Sequence, residues 1–424
     1  MGTADMNELA EMVDEAADLL KGVATETPLQ YDERLSQATG CRVWLKREDL
    51  QPVRSYKLRG AYTFISRLAE EQRAAGVIAA SAGNHGQGVA WSCARLKIRG
   101  TVYVPSTTPR QKRDRIRFFG GDYVELVVGG ETYDRAATAA AAEAERTGAT
   151  MVPAFDDPRT AAGQGTVARE MFSQLGRVPD ALMIPVGGGG LLSGCGAWTR
   201  VNHPGVRIIG VEPAGARCLA AAMYEGRPTT LDHVDGFVDG AAVARAGDFT
   251  FAMSRLVSPE LMAVPEGQVC SEMLGLYQVD GIIAEPAGAL ASAALSARPA
   301  DVSVQLEPGQ EVVVIVSGGN NDVSRYAEVL ERSGVHEGRR RYFLVNFPQE
   351  PGALRRFLDD VLGPDDDIIV FEYTKHSNRE TGPALVGIEL GDPASYESLL
   401  ARIDGSPLKV EVLKPDTAIY RMLV

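Results

Sequence analysis

Short runs of Val, Ile and other apolar residues alternate with longer amphipathic segments from Cys41 to about Ala327. The short runs predict strands at VWLK, GVIAAS, TVYVP, YVELV, LMIPVG, RIIGVE and EVVVIVS. Between them, helical spacing of apolar residues predicts helices such as Tyr56–Glu71, Gln87–Leu96 and Glu131–Arg146. Strand–helix alternation of this kind predicts an α/β fold with a mostly parallel sheet covered on both faces. Ligands of such folds bind beyond the carboxyl ends of the strands.

A polar stretch, Glu331–Arg341, interrupts this alternation and predicts a linker. After it come the strand-like segments YFLVNF, DIIVFEY, ALVGIEL and LKVEVL, with helical patterns near Gly352–Leu362 and Ser395–Ile403. The resulting βαββαβ order is that of a ferredoxin-like α+β domain. The predicted boundaries are a large domain at 1–330, a linker at 331–340 and a small domain at 341–424.

Charge and cysteine content narrow the class of protein further. A net charge of −13 disfavours nucleic acid and acidic membrane surfaces as partners. The five cysteines show no CxxC spacing, which argues against a disulfide framework and against a zinc site. The acidic start of the chain lacks the basic residues and apolar core of a signal peptide, and no apolar run reaches the length of a membrane span. The sequence therefore predicts a soluble cytoplasmic protein.

Lys57 stands just inside a predicted helix start, two residues after Ser55, in the segment KREDLQPVRSYKLRG. The positive end of a helix dipole lowers the pKa of an ammonium group placed there, and this favours imine formation with a carbonyl compound. Taken alone, Lys57 would be interpreted as a solvated helix residue, because most lysines lie on the surface. The neighbouring motifs decide between the two interpretations.

Three glycine-containing turns follow predicted strands. SAGNHGQG (Ser81–Gly88) and PVGGGGLLS (Pro185–Ser193) each open a helix, so their backbone amides can bind an anion. The ordinary alternative for the first is a tight turn, and for the second a dinucleotide-binding loop. The second lacks GxGxxG spacing, and only Glu212 could serve as the acidic residue for a ribose. SGGN places Ser317 at a strand end, where a serine is usually a helix cap.

Together these segments resemble the fold-type II enzymes that use pyridoxal 5'-phosphate (PLP), and most closely the biosynthetic threonine dehydratases, or threonine ammonia-lyases. The resemblance rests on KREDLQPVRSYKLRGA, SAGNHGQGVA, AFDDPRTAAGQGTVARE, PVGGGGLLSG, DGFVDGAAV, AEPAGA and SGGN, which occur in the expected order over nearly the whole chain. Tyr56 stands where the family usually has Phe. The resemblance implies the tryptophan synthase beta-like fold with two subdomains. It also implies PLP as the cofactor and the conversion of L-threonine to 2-oxobutanoate and ammonia, the first committed step of isoleucine biosynthesis.

The resemblance also implies roles for individual residues. Lys57 would bind PLP as an imine and then remove the α-proton of the substrate. Asn84 would hydrogen-bond the ring oxygen of the cofactor, and Ser317 would face its pyridine nitrogen. The cofactor phosphate would lie in the loop formed by Gly187, Gly188, Gly189, Gly190 and Leu191. The substrate carboxylate would bind the backbone amides of the loop formed by Ser81, Ala82, Gly83, Asn84 and His85.

Glu285, Ala82 and Glu212 require separate interpretation. Glu285, in AEPAGA, is either an acid–base neighbour of the substrate or a carboxylate stabilised at a helix N-terminus. Ala82 lacks the hydroxyl that related serine racemases carry at this position, so racemisation should be poor. Glu212 lies where relatives bind a cation, but a single carboxylate is weak evidence for a metal, and no metal site is predicted.

The terminal segment NFPQEPGALRRFLDDVLGP resembles the ACT-like regulatory domain of the biosynthetic threonine dehydratases. Pro351 and Gly352 lie between a strand and a helix, where an open helix N-terminus could meet an amino-acid ligand. The resemblance implies allosteric feedback inhibition by isoleucine and a homo-oligomer, either a dimer or a tetramer. The alternative is an oligomerisation domain that binds no ligand.

Other functions remain as alternatives at this stage. An L-serine-preferring dehydratase would differ by the pocket for one methyl group, which is worth only ~1–3 kcal/mol. A nicotinamide-dependent oxidoreductase could use PVGGGG as its cofactor loop, but it would leave Lys57 and SAGNHG unexplained. A catalytically inactive amino-acid sensor would require a broken site, whereas Lys57, Asn84 and Ser317 are all present.

Overall fold

The computed structural model describes residues 5–296, 305–373, 380–414, 417 and 420. The chain forms two compact units, Met1–Asp322 and Val323–Val424. The strands of the first unit are β1 (Leu29–Tyr31), β2 (Arg42–Arg47), β3 (Val77–Ala80), β4 (Gly100–Val104), β5 (Val124–Val128), β6 (Thr150–Met151), β7 (Ala181–Pro185), β8 (Arg207–Pro213), β9 (Glu260–Val264) and β10 (Glu311–Val316). Its helices are α1 (Met6–Leu19), α2 (Glu33–Thr39), α3 (Lys57–Ser66), α4 (Glu70–Ala75), α5 (Asn84–Leu96), α6 (Arg110–Gly120), α7 (Tyr133–Thr147), α8 (Pro158–Leu175), α9 (Gly190–Asn202), α10 (Cys218–Glu225), α11 (Asp248–Val257), α12 (Glu266–Gln278) and α13 (Pro286–Ser296).

The strands of the first unit form two sheets. One has six strands in the order β1-β2-β10-β7-β8-β9, all parallel except the antiparallel pair β1–β2. The other has four parallel strands in the order β5-β4-β3-β6. Every residue of β7 and β10 is buried, as expected for central strands covered by helices on both faces. The predicted α/β class and every strand predicted in this part of the chain are confirmed.

Each sheet has its own hydrophobic core, so the first unit consists of two lobes. In the six-stranded lobe, α1 packs on α8 and α9 through Leu9 and Val13, while the acidic residues of α1 face solvent. In the four-stranded lobe, Phe64 of α3 and Val89 of α5 pack against Val102 of β4. The predicted helix Tyr56–Glu71 is divided into α3 and α4, because the chain leaves helical geometry at Arg67.

The second unit contains α14 (Tyr326–His336), β11 (Arg340–Pro348), α15 (Ala353–Val361), β12 (Asp367–Tyr373), β13 (Thr381–Glu389), α16 (Tyr396–Gly405) and β14 (Lys409–Val412). Its four-stranded sheet is antiparallel, in the order β12-β13-β11-β14. Phe357 of α15 and Leu399 of α16 pack on one face of this sheet, against Phe343 and Val386. The predicted ferredoxin-like βαββαβ order is confirmed.

The stretch Glu331–Arg341 differs from the linker that its polarity suggested. It contains the second half of α14 and the first residues of β11, and the division between the compact units falls after Asp322 rather than after residue 330. The physical reason is that its charges are paired. Arg340 binds Glu331 at 2.6 Å and Glu389 at 3.0 Å. Pairing of this kind allows a charged segment to be ordered rather than solvated.

The cysteines of the chain are all buried free thiols, which agrees with the prediction that they form no disulfide framework. Among the residues that the structure describes, no helix combines the length and the apolar character that crossing a membrane requires.

Candidate active site

A cavity of about 600 Å³ lies between the two lobes of the first unit, beyond the carboxyl ends of β2, β3 and β10. It brings together seven of the residues predicted from the sequence, namely Lys57, Ser81, Ala82, Gly83, Asn84, His85 and Glu285. The rest of the wall includes Phe155 from the loop before α8 and Asn320 after β10. It also includes residues 239, 240 and 242–245. This is the edge of the sheet at which an α/β fold binds its ligand.

Lys57 is the first residue of α3, and its side chain lies in the cavity with Nζ donating to the carbonyl of Ala154 at 3.0 Å. The backbone N–H of Tyr56 donates to the carbonyl of Ser317 at 3.2 Å, which fixes the start of the helix to the end of β10. Burial lowers the pKa of Lys57 to about 8, against the opposing charge of Glu285. The lowered pKa agrees with the sequence prediction, although burial, rather than the helix dipole, is its principal cause.

Behind Lys57 lies a buried network of charges that the sequence analysis missed. Arg59 binds Glu48 at 2.8 Å and Glu170 at 2.6 Å, and Lys46 binds Glu170 at 2.8 Å. The side chains of Arg59, Lys46 and Glu48 have no exposed surface, so they can be tolerated only as a fully paired set. Lys46, Glu48 and Arg59 of the segment KREDLQPVRSYKLRG therefore support the helix that carries Lys57. Charged residues within a buried strand, such as Lys46 in β2, were the available signal.

The loop 81–85 joins β3 to α5, whose first helical residue is Asn84. Gly86 must be a glycine, because a Cβ there would lie 2.2 Å from the carbonyl oxygen of Ser81. The His85 ring turns away from solvent, with Nε2 2.9 Å from the carbonyl of Val152, and burial lowers its pKa to about 4. His85 is therefore neutral, and the loop presents mainly backbone amides at a helix N-terminus.

Asn84 and Glu285 are hydrogen-bonded to each other in the cavity. Asn84 Nδ2 donates to Glu285 Oε1 at 2.5 Å. Burial raises the pKa of Glu285 to about 7, and the negative charge of Asp239 adds to the effect. The backbone of Glu285 also begins α13, since its carbonyl accepts from the N–H of Ala289 at 3.0 Å. This backbone contact places Glu285 at the N-terminus of α13, but the raised pKa shows that burial outweighs any stabilisation of the carboxylate by the helix dipole.

Ser317 is buried at the end of β10, with Oγ donating to the carbonyl of Ala287 at 3.1 Å. It lies next to the cavity rather than in its wall. Its hydroxyl bonds a backbone carbonyl, so the helix-cap interpretation does not apply.

The glycine loop Gly187–Leu191 ends β7 and begins α9. A Cβ at Gly188 would lie 2.5 Å from the Phe155 ring, and Gly189 has a φ of +91°, which favours glycine. The loop therefore packs directly behind Phe155, a wall residue of the cavity, and is not itself part of the wall. Among the hydrogen bonds of the described residues, none has an amide of this loop as its donor, as expected for an open helix N-terminus.

Glu212 serves as a helix cap. Its two carboxylate oxygens accept from the backbone N–H groups of Leu219 at 2.8 Å and Ala220 at 2.9 Å, at the start of α10. In the described ranges, no group of three or more His, Cys, Asp or Glu side chains is arranged to hold a metal ion.

The mouth of the cavity carries an ion pair that sequence reasoning did not find. Lys112 of α6 lies in the four-stranded lobe, and its Nζ is 2.7 Å from Asp239, in the segment between α10 and α11. The two residues are far apart in sequence, and although Asp239 lies in the DGFVDGAAV segment, only the packing of the lobes brings it to Lys112.

These residues fit PLP. The site offers an amine with a lowered pKa that could react with the aldehyde, an amide that could bind the ring oxygen, a neutral hydroxyl beside the cavity, and a helix N-terminus that could bind the phosphate. The family comparison agrees. Residues 20–318 match the model described as pyridoxal-phosphate dependent enzyme. The fold and site thus define a PLP-dependent enzyme.

The second unit and the relatives of the whole chain define the family more closely. Residues 331–423 match the model described as the C-terminal regulatory domain of threonine dehydratase. The chain is 57% identical over 97% of its length to the biosynthetic L-threonine dehydratase IlvA of Mycobacterium tuberculosis, covering 95% of that protein. It is 47% identical over 96% of its length to the enzyme of the same name from Bacillus subtilis, again covering 95%. The chain belongs to the family of biosynthetic threonine dehydratases.

A solved structure supports the same assignment. The processed form of threonine deaminase isoform 2 from Solanum lycopersicum superposes with a TM-score of 0.73 at 38% identity, covering 79% of this chain and 96% of that one.

Proposed function

We propose that this chain converts L-threonine to 2-oxobutanoate and ammonia and thereby begins isoleucine biosynthesis. The observation that carries the proposal is the position of Lys57, whose amine has a pKa of about 8 and lies in a cavity with Asn84 and Glu285. Relatives that match nearly the whole chain are named as biosynthetic L-threonine dehydratases.

Four elements would hold the cofactor: Lys57, Asn84, Ser317 and the loop Gly187–Leu191. When bound, PLP supplies an electron sink for the negative charge that develops on the substrate α-carbon. Ser317 is neutral, so it does not require a protonated pyridine nitrogen. An unprotonated ring withdraws electrons less strongly from the substrate α-carbon. Phe155 would have to accommodate the phosphate, since its ring packs on Gly188.

The chain supplies the proton transfers. Lys57 Nζ is close to half-deprotonated at mildly alkaline pH, so it can take the α-proton of a bound amino acid. Glu285, with a pKa near 7, can hold or release a proton beside it. The amides of the loop 81–85 at the N-terminus of α5 would bind the substrate carboxylate, and the walls of the cavity would exclude water.

Apolar residues in the cavity wall support threonine as the substrate. Val234, Ala242, Val243 and Ala244 form an apolar portion of the wall that could accept the β-methyl group of threonine. Such a contact is worth about 1–3 kcal/mol, so an L-serine-preferring dehydratase is the alternative that measurement must decide. Ala82 faces the cavity without a hydroxyl, and racemisation should remain poor.

The regulatory proposal concerns a second cavity, of about 660 Å³, within the second unit. It surrounds the turn at Pro351 and Gly352, where Gly352 has a φ of +85° and precedes α15. Its wall combines apolar side chains, Phe347, Leu354, Leu358, Phe371 and Tyr373, with charged groups at Glu350, Arg355 and Asp359. An apolar surface beside charges of both signs and a helix N-terminus suits a branched-chain amino acid, and we propose isoleucine as the inhibitor. An oligomerisation domain without a ligand is the alternative.

Oligomeric state and location remain predictions. A dimer or tetramer in the cytoplasm is expected, without nucleic-acid or membrane partners.

The direct test is to incubate the purified full chain with PLP and L-threonine and to measure 2-oxobutanoate, with and without L-isoleucine. L-serine under the same conditions gives the ratio of kcat/KM values. Keto acid from threonine that disappears in Lys57→Ala supports the proposal. The absence of keto acid with both threonine and serine would refute the proposal. A kcat/KM ratio that favours serine would identify L-serine as the preferred substrate.

A further inference from the structure

Asn320, at the end of the SGGN segment, connects the backbone of the segment that precedes Lys57 to the side-chain amide of Asn84. Its Nδ2 donates two hydrogen bonds, one to the carbonyl of Val53 at 2.8 Å and one to Oδ1 of Asn84 at 2.6 Å. Its Oδ1 is buried without a hydrogen-bond partner among the described residues. Asn320 also lies in the wall of the cavity, although the sequence analysis assigned it no role.

The chemistry of these groups fixes the direction of both amides. A backbone carbonyl can only accept hydrogen bonds, so Val53 requires the NH₂ group of Asn320 on its side. The second N–H of that group then meets Oδ1 of Asn84. Turning Asn84 over would set its NH₂ group against the NH₂ group of Asn320. The Asn84 amide is therefore held with its Nδ2 directed away from Asn320, toward Glu285.

Asn320 itself stands on a tightly held turn. The N–H of Gly319 donates to the carbonyl of Arg54 at 2.9 Å, and the N–H of Glu285 donates to the carbonyl of Gly318 at 3.1 Å. A Cβ at Gly318 would lie 2.2 Å from Glu285 Oε1, so the turn approaches the carboxylate closely. Because Gly318 and Gly319, the two residues before it, are hydrogen-bonded to separate segments of the chain, Asn320 can transmit a defined orientation rather than follow that of Asn84.

We propose that Asn320 is a positioning residue that, acting through Asn84, directs the Asn84 N–H donor at the ring oxygen of PLP. The proposal deepens the proposed function and rests on it. Without the donor from Asn320, the Asn84 amide can rotate and present Oδ1, which repels an oxygen anion. Asn84 would touch the cofactor, and Asn320 would act only through Asn84.

The test uses Asn320→Asp in the full-length protein, because aspartate has nearly the same shape and lacks both donors. Apoprotein is titrated with PLP, and the dissociation constant and the visible absorbance maximum of the bound cofactor are measured. We expect PLP to bind at least about tenfold more weakly, the effect of losing one well-oriented hydrogen bond, and the absorbance maximum to shift.

Asn321→Asp is the matched control. Asn321 is the next residue, and its Oδ1 accepts from the backbone N–H of Asp322 at 3.0 Å, a bond that aspartate retains. The control introduces the same charge one residue further along, so it should leave PLP affinity and absorbance close to wild type. An equal loss in Asn321→Asp would show that added charge alone explains the effect, and it would overturn the proposal.

A double-mutant cycle separates positioning from general stability. In an Asn84→Ala background, Asn320→Asp should cause little further loss of PLP affinity, because the group that it orients is absent. An undiminished effect in that background would contradict the proposal, as would wild-type affinity and absorbance in the single variant. If Asn320→Asp does not fold, Asn320→Ala takes its place with the same expectations. Wild-type protein that neither binds PLP nor forms 2-oxobutanoate would instead refute the proposed function.

Discussion

The amide of Asn84 donates a 2.5 Å hydrogen bond to the carboxylate of Glu285, and the two residues come from different lobes of the first unit. Asn84 begins α5 beside the four-stranded sheet, whereas Glu285 precedes α13 beside the six-stranded sheet. The bond therefore connects the two lobes within the cavity in which the cofactor is expected. The N–H donor of Asn84 also favours the ionised form of Glu285, which partly opposes the rise in pKa caused by burial.

Glu285 should make stability depend on pH. Burial raises its pKa from an ordinary 4.5 to about 7, so between these values the folded apoprotein retains a proton that the unfolded chain releases. Stability from this group is therefore present below pH 4.5 and is lost as pH rises to about 7. Glu285→Gln apoprotein should be more stable than wild type above pH 7 by on the order of 2 kcal/mol. Urea unfolding at two pH values measures this. An equal difference at pH 5 and pH 8 would contradict the raised pKa.

The same variant separates the two roles of Glu285 in catalysis. If the carboxylate transfers a proton, the limb of the pH–activity profile near pH 7 disappears in Glu285→Gln. If the Glu285 carboxylate has only a structural role before α13, the pH–activity profile of Glu285→Gln keeps that limb.

The charge network around Arg59 should be essential for folding. Arg59→Ala leaves Glu48 without its buried ion-pair partner and removes one of the two cations that bind Glu170. We expect a loss of about 3–5 kcal/mol in the free energy of unfolding. Arg67→Ala is the control, because Arg67 binds an exposed Glu15 at 2.9 Å and should lose less than about 1 kcal/mol. Denaturant unfolding of both variants measures the difference, and similar losses would show that the network contributes no more than a surface pair.

Gly188 should tolerate no side chain. Gly188→Ala places a Cβ 2.5 Å from the Phe155 ring, so the ring and the phosphate loop must separate. We expect PLP affinity to fall by at least about tenfold, because the amide donors of the loop move. Gly205→Ala, where no heavy atom lies within 4 Å of the added Cβ, should bind PLP as wild type does. Unchanged affinity in Gly188→Ala would exclude this loop as the phosphate site.

Isoleucine sensitivity should depend on the cavity of the second unit. Leu354 lines that cavity and is 41% exposed, so Leu354→Ala should weaken inhibition by isoleucine several-fold without changing turnover in its absence. Val412→Ala, at a position 40% exposed and outside the cavity, is the matched apolar truncation. The isoleucine concentration for half-inhibition is the measurement. Equal values for the two variants would place the inhibitor elsewhere.

The features that could be predicted from the sequence are those that depend on residues close together in the chain. The central strands are continuous apolar runs, and Lys57 and the glycine turns follow strands or begin helices, so their position at one edge of the sheet follows from the alternation. Glu331–Arg341 was misjudged because its polarity resembles that of a loop, whereas its charges are satisfied by Glu389 and by one another.

Contacts between distant segments could not be predicted in this way. Asn320 meets Val53 and Asn84 across more than 200 positions of sequence, and Phe155, in the AFDDPRTAAGQGTVARE segment, meets Gly188 through loop packing. These contacts depend on the register of the parallel strands and on how the two lobes meet. No periodicity or spacing in a single sequence specifies them.

The most direct test of the account is to locate the covalent attachment of PLP. The protein loaded with PLP is reduced with borohydride, digested and analysed by peptide mass spectrometry, with Lys57→Ala and Lys112→Ala treated in parallel. The account predicts a phosphopyridoxyl group on Lys57, retained in Lys112→Ala and absent from Lys57→Ala. A modified lysine other than Lys57, or a reduced protein without the group, would contradict it.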